Sequence, residues 1–318
     1  MKTNKLIVIL GPTASGKTDL AIKLARKFNG EIVCADSRQV YKEMAIGTAS
    51  PTLRPALQPP GGCKVYNPLG VVHYLFNFRE PNKPLNVATY KKMAEKAIKN
   101  IQKRGKIPFL VGGTGLYIKS VVDNLQFPKL KPSQKLRNEL EQKTVPQLFV
   151  IYKKLDPQGA VQIDKNNKRR LIRAIEVCKI TGQPFWTQRK KQTPLFDVLQ
   201  IGINPAKDEM EKRIAKRTEA MFKQGLEKEV KTLVKKYGWA SVLQNTIGYS
   251  EWQELWKELS YFQKSSSVPL ARISKLISLH TLQFAKRQMS WFKKDKRILW
   301  IKNYTQAQKS VNKFISQT

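Results

Sequence analysis

Residues 11–18 have the sequence GPTASGKT, which fits the pattern G-x-x-x-x-G-K-[ST] of a phosphate-binding loop. The two glycines allow backbone conformations and close approaches that a Cβ would block, so successive N–H groups can surround an anion at a helix N-terminus. Lys17 adds a full positive charge for the outer phosphates, and the Thr18 hydroxyl is placed to ligate Mg²⁺. The pattern predicts a site for a di- or triphosphate together with a magnesium ion.

The segments around this loop favour a nucleotide-binding type of fold. Residues 5–10, KLIVIL, form an apolar run typical of a buried parallel strand, and Leu20 and Leu24 recur at helical spacing after the loop. Strand, glycine loop and helix is the required setting; a glycine-rich turn without a ligand is the alternative. Further apolar runs at 31–35 and 107–111 alternate with helical segments. The sequence predicts an α/β fold with a P-loop, doubly wound parallel sheet as its core.

The charge balance indicates an anionic partner. The 318 residues include 59 Lys and Arg against 23 Asp and Glu, a net charge of +36. A solvated basic surface could account for part of this excess, but a phosphate-loop protein with such a charge favours a polyanion, and nucleic acid before an anionic membrane surface. No apolar run is long enough to cross a membrane, and the early apolar run is too short for a signal peptide, so we expect a cytoplasmic protein.

Cysteine usage gives no sign of a metal site or a disulfide framework. Cys34, Cys63 and Cys178 are scattered along the chain, without a C-x-x-C pair and without a histidine at ligand spacing. We therefore expect buried or incidental thiols.

Two candidate groups for chemistry follow the second and third strands. Asp36 comes directly after the run at 31–35, where a carboxylate would point into the ligand crevice of a doubly wound sheet. An aspartate that caps the next turn is the alternative. The run at 107–111 leads into a second glycine-rich turn, GGTG at 112–115, which carries the hydroxyl of Thr114. We expect this hydroxyl to face the same crevice as the phosphate loop.

The middle of the chain predicts a separate helical body. Pro128 and Pro132 mark a boundary, after which the composition is helical and basic as far as about residue 191. The composition therefore separates a helical, basic segment from the phosphate-loop part of the chain. Periodicity further predicts helices over 87–104, 207–237 and 269–294.

Two basic runs are candidates for contact with RNA phosphates. Residues 168–175, KRRLIRAI, place Arg169, Arg170 and Arg173 where they can share one helical face, and Gly182 is expected to end that helix. A solvated face is the alternative, since charge runs usually have that role. The second run, KRQMSWFK at 286–293, combines cations with aromatic residues and suits stacking on RNA, although Trp291 could simply belong to the core.

The motifs occur in a characteristic order along the chain. They are GPTASGKT at 11–18, DSRQVY at 36–41, IGTASP at 46–51, LVGGTGLY at 110–117, RRLIRAIE at 169–176, IGY at 247–249 and AKRQMSWF at 285–292. With this order over nearly the full length, the chain resembles the tRNA dimethylallyltransferases, also called tRNA isopentenyltransferases, and we expect the bacterial form. The resemblance implies transfer of a dimethylallyl group from dimethylallyl diphosphate to the exocyclic N6 amine of the adenine 3′-adjacent to the anticodon. It also implies a P-loop core with C-terminal helices, formed by residues 1–130 and 195–318, and a helical, basic RNA-binding insertion, residues 131–194, that grips the anticodon stem-loop.

The resemblance implies a role for individual residues. Asp36 would be the general base, Thr114 would position the reacting amine, and Thr18 would hold Mg²⁺. The diphosphate would be held by Gly11, Thr13, Ala14, Ser15, Gly16, Lys17, Thr18 and Arg217. The tRNA would contact Ser37, Arg38, Gln39, Arg137, Arg169, Arg170, Arg173, Ile247, Gly248, Tyr249, Lys286, Arg287, Gln288, Trp291 and Lys293. The expected partners are tRNA and dimethylallyl diphosphate, with no membrane, and the expected state is a monomer.

The chain departs from the family pattern at a few places. Val72-His73-Tyr74 stands where the family often has Pro-His-His, and an apparent insertion at 53–70 precedes it. Asn166-Asn167 stands where the family has Asn-Asp. These departures affect the loops near 72–74 and 166–167 and leave the residues assigned to the chemistry unchanged.

Two other classes of function share the phosphate loop. A small-molecule kinase would bind ATP there and use Asp36 to activate a hydroxyl, with Gly112 and Gly113 lining the acceptor pocket. A non-enzymatic RNA-binding NTPase switch is the second. The kinase leaves the basic helical half unexplained.

Overall fold

The computed structural model describes residues 4–50, 70–128, 130, 133–188, 192–261 and 270–317. The chain divides into two compact units, one of residues 1–121 and 195–318 and the other of residues 122–194. The second unit begins at residue 122 and ends at residue 194, whereas the predicted insertion begins at residue 131. The apparent insertion at 53–70 lies almost entirely outside the described residues.

A six-stranded sheet forms the centre of the first unit. Its strands are β1 Lys5–Leu10, β2 Gly30–Cys34, β3 His73–Tyr74, β4 Ile107–Gly112, β5 Asp197–Ile203 and β6 Ile298–Ile301. The strand order is β3-β2-β4-β1-β5-β6, and every neighbouring pair is parallel. This arrangement confirms the predicted α/β fold with a doubly wound parallel sheet. The chain winds outward to one side of β1 and later to the other, so the carboxyl end of β1 is the switch point at which such sheets bind ligands.

Thirteen α-helices occur in the described residues. They are α1 Lys17–Lys27, α2 Val87–Lys103, α3 Gly115–Val122, α4 Gln134–Glu141, α5 Val145–Leu155, α6 Pro157–Gln162, α7 Lys168–Thr181, α8 Lys207–Lys223, α9 Leu226–Tyr237, α10 Ser241–Gln244, α11 Ser250–Tyr261, α12 Leu270–Phe292 and α13 Tyr304–Ser316. None of them combines the length and the hydropathy that a bilayer crossing requires.

The helical stretch predicted at 207–237 is helical on both sides of a short break. The stretch 207–237 is two helices, α8 and α9, separated at Gly225. Gly225 has φ +91°, a left-handed conformation that a glycine adopts at little cost and that ends a helix. Helical residues continue on both sides of this glycine, and the glycine itself is the feature of the sequence that marks the break.

Two hydrophobic clusters of the first unit hold the phosphate loop and the segment after β2 in position. In one cluster, Leu20 and Leu24 of α1 and Val311 of α13 pack on Ile7 and Ile9 of β1. These strand residues alternate along β1, as a sheet face requires. The cluster fixes α1, and with it the phosphate loop, above the end of the central strand.

The second cluster surrounds the segment that follows β2. Val40 and Met44 of that segment pack with Leu226 of α9, Trp252 of α11 and Ile277 of α12. All five side chains are almost fully buried. The C-terminal helices therefore form the support of the DSRQVY segment and are part of the first unit.

The second unit has a small helical core of its own. Leu148 and Tyr152 of α5 pack with Leu171 and Ile175 of α7. Gly182 ends α7 in a left-handed conformation with φ +67°, as the sequence predicts.

Candidate active site

The phosphate loop joins β1 to α1 in the conformation that its glycines predict. Gly16 has φ +83° immediately before the first turn of α1. A Cβ on Gly11 would come within 2.8 Å of Ser15 Oγ and 2.9 Å of the Ile203 carbonyl oxygen. Ser15 Oγ is buried and has no hydrogen-bond partner in the described part of the chain. The loop thus holds an unsatisfied donor in a cradle of backbone amides, which suits a phosphate.

Three cations surround the loop. Lys17 Nζ donates to the Pro12 carbonyl oxygen at 3.1 Å, and Arg217 Nη1 donates to Thr13 Oγ1 at 2.7 Å. Arg213 Nη1 donates to the Ala14 carbonyl oxygen at 3.4 Å. Among the described residues, neither Lys17 nor Arg217 forms a salt bridge with a carboxylate. Two positive charges are therefore available for an anionic ligand.

Burial affects the protonation of both groups. It lowers the pKa of Lys17, and the neighbouring Arg217 lowers it further while Asp36 raises it. Burial also lowers the pKa of Arg217, against the opposing effect of Asp36. A bound diphosphate would bring negative charge to both groups and raise both pKa values, so ligand and cations stabilise each other.

Asp36 caps the turn that follows β2 and keeps one oxygen available. Its Oδ1 accepts hydrogen bonds from the backbone N–H groups of Arg38, at 2.8 Å, and Gln39, at 3.4 Å. This is the turn-capping arrangement that the sequence left open. The described chain gives Oδ2 no hydrogen-bond partner, so the same carboxylate can still accept a proton from a substrate.

The second glycine-rich turn lies directly beside the end of β2. Thr114 Oγ1 accepts a hydrogen bond from the Ser37 N–H at 2.9 Å and donates to Ser37 Oγ at 3.2 Å. A Cβ on Gly112 would lie 2.1 Å from the Ala35 carbonyl oxygen, and one on Gly113 would lie 3.4 Å from the Gly11 carbonyl oxygen. The two glycine turns are thus neighbours, and Asp36 and Thr114 lie on adjacent strand ends.

Two predicted RNA contacts of the first unit lie inside the protein. Tyr249 is fully buried, and its hydroxyl donates to Glu229 Oε1 at 2.7 Å. Gln288 is 6% exposed and its side-chain amide contacts both glycine loops. Both side chains are almost fully buried in this structure, and internal hydrogen bonds occupy their polar groups. Lys286 and Arg287, by contrast, are exposed on α12.

Other predicted contacts of this unit lie at or near the surface. Trp291 is 39% exposed, and its indole occupies the space that a Cβ on Gly115 would need, at 2.3 Å. Arg38 Nη2 donates to the Asn245 carbonyl oxygen at 2.7 Å, which links the segment after β2 to the turn before Ile247.

In the second unit, a buried carboxylate holds two of the predicted RNA contacts. Glu176 accepts hydrogen bonds from Arg137 Nε at 2.8 Å, Arg173 Nη1 at 2.6 Å and the Ser133 N–H at 3.0 Å. Burial alone raises the pKa of Glu176, but these hydrogen bonds outweigh it and leave the pKa below its ordinary value. Both arginines thus have a structural ion pair, while Arg169 is exposed on α7.

Comparison with known proteins assigns this arrangement to a family. A model of IPP transferases matches residues 39–295, and a model of isopentenyl transferases matches residues 4–57. The tRNA dimethylallyltransferase of a Picosynechococcus strain is 38% identical over 95% of this chain and 94% of its own length, and that of Microcystis aeruginosa is 40% identical over 93% and 87%. The chain belongs to the tRNA dimethylallyltransferase family.

Solved structures agree with this assignment. The tRNA isopentenylpyrophosphate transferase of Bacillus halodurans has a TM-score of 0.66 and 31% identity, covering 99% of this chain and 96% of that one. A eukaryotic dimethylallyltransferase acting on tRNA has a TM-score of 0.75 and 26% identity, covering 98% of this chain and 79% of that one. The predicted family is thus confirmed at the level of both sequence and fold.

Two acidic residues support the family motifs without belonging to the predicted site. Glu229 accepts hydrogen bonds from the Ile46 N–H at 2.9 Å and the Gly47 N–H at 3.0 Å, in addition to the Tyr249 hydroxyl. It therefore fastens the IGTASP and IGY motifs to each other, as Glu176 fastens two arginines. The sequence alone does not distinguish such a buried glutamate from the solvent-exposed glutamates that are common on charged helices.

The cysteines and acidic side chains of the described segments form no metal cluster. Cys34 and Cys178 are buried free thiols, whereas Cys63 lies outside the described residues. Within the described ranges, no group of three or more His, Cys, Asp and Glu side chains could hold a metal ion.

Proposed function

We propose that this protein transfers the dimethylallyl group of dimethylallyl diphosphate to the N6 amine of the adenine 3′-adjacent to the anticodon in tRNA. The observation that carries the proposal is the contact between two glycine loops, one with the features of a diphosphate site and one with Thr114 beside Asp36. A transferase needs its donor and its acceptor at neighbouring positions. The names of the relatives support this substrate pair.

On the donor side, the loop amides and the charges of Lys17 and Arg217 would hold the diphosphate. As the bond between the dimethylallyl carbon and the diphosphate oxygen breaks, negative charge collects on the leaving group. Fixed cations and N–H dipoles around that position stabilise this charge in the transition state. The buried, unpartnered Ser15 Oγ is a further donor for it.

The residues at the loop also fit a magnesium ion. The Ser or Thr hydroxyl of a phosphate loop ligates Mg²⁺ together with substrate phosphates and water, so the Thr18 hydroxyl would be the protein ligand here. When bound, the ion supplies further charge stabilisation to the diphosphate.

On the acceptor side, Asp36 would act as the general base. An adenine amine is a poor nucleophile, so it must lose a proton as the new C–N bond forms, and Asp36 Oδ2 can accept that proton. The Thr114 hydroxyl would orient the amine. The adenine must leave the stack of neighbouring nucleobases to reach the crevice. Enzymes that modify nucleobases achieve this by extruding the nucleotide.

Exposed cations of both units would bind the anticodon stem-loop. Arg169, Lys286 and Arg287 are exposed; Arg170 also lies on α7, and Lys293 is exposed in the turn that follows α12. Their contacts with phosphates would supply affinity and orientation without reading the base sequence.

The proposal is tested by incubating the protein with unmodified tRNA, dimethylallyl diphosphate and Mg²⁺. Mass spectrometry of the digested nucleosides should then show an adenosine heavier by one dimethylallyl group. Lys17→Ala should abolish the product, because it removes the charge that the leaving group needs, while circular dichroism shows an intact fold. Labelled γ-phosphate of ATP should reach no small acceptor; its transfer, with no product on tRNA, would replace the proposal with the kinase function.

A further inference from the structure

Gln288 makes a bridge between the two glycine loops. Its Oε1 accepts a hydrogen bond from the Thr13 N–H at 2.9 Å, and its Nε2 donates to the Gly113 carbonyl oxygen at 2.8 Å. One partner is a donor and the other an acceptor, so only one orientation of the amide satisfies both. The side chain is 6% exposed, which makes the two bonds internal to the protein.

The two partners of this bridge belong to opposite sides of the proposed reaction. Thr13 lies in the phosphate loop, and its hydroxyl accepts a hydrogen bond from Arg217. Gly113 directly precedes Thr114, whose hydroxyl accepts a hydrogen bond from the backbone N–H of Ser37, the residue after Asp36. A single amide thus spans the gap between the group that would hold the donor and the groups that would hold the acceptor.

The local backbone leaves room for the amide. A Cβ on Gly113 would lie 2.4 Å from Gln288 Nε2, so any larger residue would displace the bridge. Lys286 and Arg287 precede Gln288 on the same helix and are exposed. Consecutive residues of α12 therefore point outward with charge and inward to the two loops.

We propose that Gln288 is a positioning residue for the transfer, which fixes the distance between the phosphate loop and the Thr114 turn. This inference rests on the proposed function. It replaces the predicted role of Gln288 as an RNA contact. Rates of transfer between two bound reactants depend steeply on their separation, and a displacement of about 1 Å can cost on the order of 10²-fold. Loss of the bridge should therefore lower the rate of the bound complex and leave the affinity for each substrate nearly unchanged.

The test compares Gln288→Met with Gln283→Met. Methionine has nearly the length and volume of glutamine but makes neither hydrogen bond, and Gln283 is an exposed glutamine on the same helix. We expect Gln288→Met to lower the single-turnover rate at saturating donor and tRNA on the order of 10²-fold, with little change in either dissociation constant. Gln283→Met should transfer like the natural protein.

A second variant, Gln288→Glu, gives a readout that packing alone would not move. An ionised glutamate can accept from Thr13 but repels the Gly113 carbonyl oxygen, whereas a protonated one can donate to it. Burial opposite a carbonyl raises the pKa of such a carboxyl, so the rate of this variant relative to the natural protein should rise as the pH is lowered. This variant also covers the case in which Gln288→Met fails to fold.

The outcomes separate the inference from the function beneath it. If folded Gln288→Met transfers at the rate of the natural protein, the inference is overturned. A loss of tRNA affinity as large as the loss of rate also overturns it, because that pattern is expected of an RNA contact. A flat pH dependence of the Gln288→Glu ratio also counts against it. Failure of the natural protein to modify tRNA would instead overturn the proposed function.

Discussion

At the scale of single residues, Asp36 combines a structural and a chemical group in one side chain. Oδ1 caps a turn through two backbone N–H groups, and Oδ2 has no partner in the described chain. Asp36→Asn keeps an oxygen for the turn but cannot take a proton. We expect single-turnover transfer to fall at least ~100-fold, because a general base contributes a factor of that order. Rapid-quench measurement of labelled dimethylallyl transfer checks this.

The thermal stability of the same variant provides its control. Asp36→Asn should unfold near the temperature of the natural protein and bind donor normally, whereas Asp36→Ala should lose stability as well, since it removes the cap. Thr114→Ala should reduce the rate less than either Asp36 variant, because the hydroxyl positions the amine and is not the final proton acceptor. A well-folded Asp36→Asn protein with normal transfer would leave Asp36 a cap and nothing more.

His73 makes the stability of the fold depend on pH. Its Nδ1 bonds the Val71 carbonyl oxygen at 2.7 Å, its Nε2 has no partner in the described chain, and burial lowers the pKa of His73 to about 4. Unfolded histidine has a pKa near 6.5. Between these values the unfolded chain binds more protons, so stability falls as the pH falls, by ~3 kcal/mol over the whole window.

Urea unfolding across this pH window checks the contribution of His73. His73→Asn retains a donor for the Val71 carbonyl oxygen but does not titrate, so its free energy of unfolding should depend less steeply on pH than that of the natural protein. The comparison uses the slope, so a constant loss from the smaller side chain does not affect it. Equal slopes would mean that His73 is protonated or hydrated in the folded state.

At the scale of elements, α7 contributes a buried carboxylate that holds two arginines. Removing one partner of a buried ion pair costs up to ~3–5 kcal/mol, and the lower end applies here since Arg137 and Arg173 are each 35% exposed and can be rehydrated. Glu176→Gln should therefore lower the urea midpoint clearly. The pKa of Glu176 lies below its ordinary value, so its contribution is complete above that ordinary value and is lost as the pH falls through the lower one.

Glu141→Gln is the matched control for this buried pair. Glu141 pairs with Lys168 at 3.6 Å across exposed side chains, and surface pairs contribute about 0–1 kcal/mol. The two variants should thus differ clearly in midpoint. Equal midpoints would show that the Glu176 cluster is solvated in the same way as a surface pair.

The exposed cations on α7 and α12 should give tRNA binding a steep salt dependence. Each phosphate contact contributes about −0.7 to −0.9 to the slope of log K against log salt. Arg170→Gln and Lys286→Gln should each reduce the slope by roughly one such contact and weaken all substrate tRNAs about equally. Filter-binding titrations of tRNA over a range of salt concentrations measure this slope for each variant.

Lys99→Gln serves as the control for these slopes. Lys99 is exposed on α2 and belongs to no predicted RNA segment. It should leave the slope unchanged. If Arg170→Gln and Lys286→Gln also leave it unchanged, the basic runs are solvated faces, the alternative that the sequence left open.

The elements that sequence predicts well are those with a strong local pattern. The apolar runs at 5–10 and 107–111 are strands, and the stripe at 87–104 is α2, because burial on a known face dictates the period. β3 has only two residues and no period to detect. Gln288 bonds to Thr13 across 275 positions of the chain, and Glu229 bonds to Ile46 across 183, so no local pattern could reveal either contact.

At the scale of the whole molecule, the net charge of +36 and the phosphate loop together favour a transferase acting on RNA over a kinase. Either feature alone is compatible with several functions. The family assignment supports the same choice by a different route, since it depends on the order of motifs across the entire chain. The composition thus indicates an anionic partner, whereas the type of reaction is indicated only by the motifs.

The strand order has a consequence for the making of the protein on the ribosome. β1 emerges early, but its neighbour β5 begins near residue 197, and the bridge between the two loops needs residue 288. Loop closure over such distances is slow, and a growing chain can close it only after most of its length has left the exit tunnel. A chain cut short before α12 would carry the complete phosphate loop and still lack Gln288, Lys286 and Arg287. Unfinished copies would also lack α13, which packs with α1 on β1, so the support of the phosphate loop and the cations of α12 are both completed only when the last helices have been synthesised.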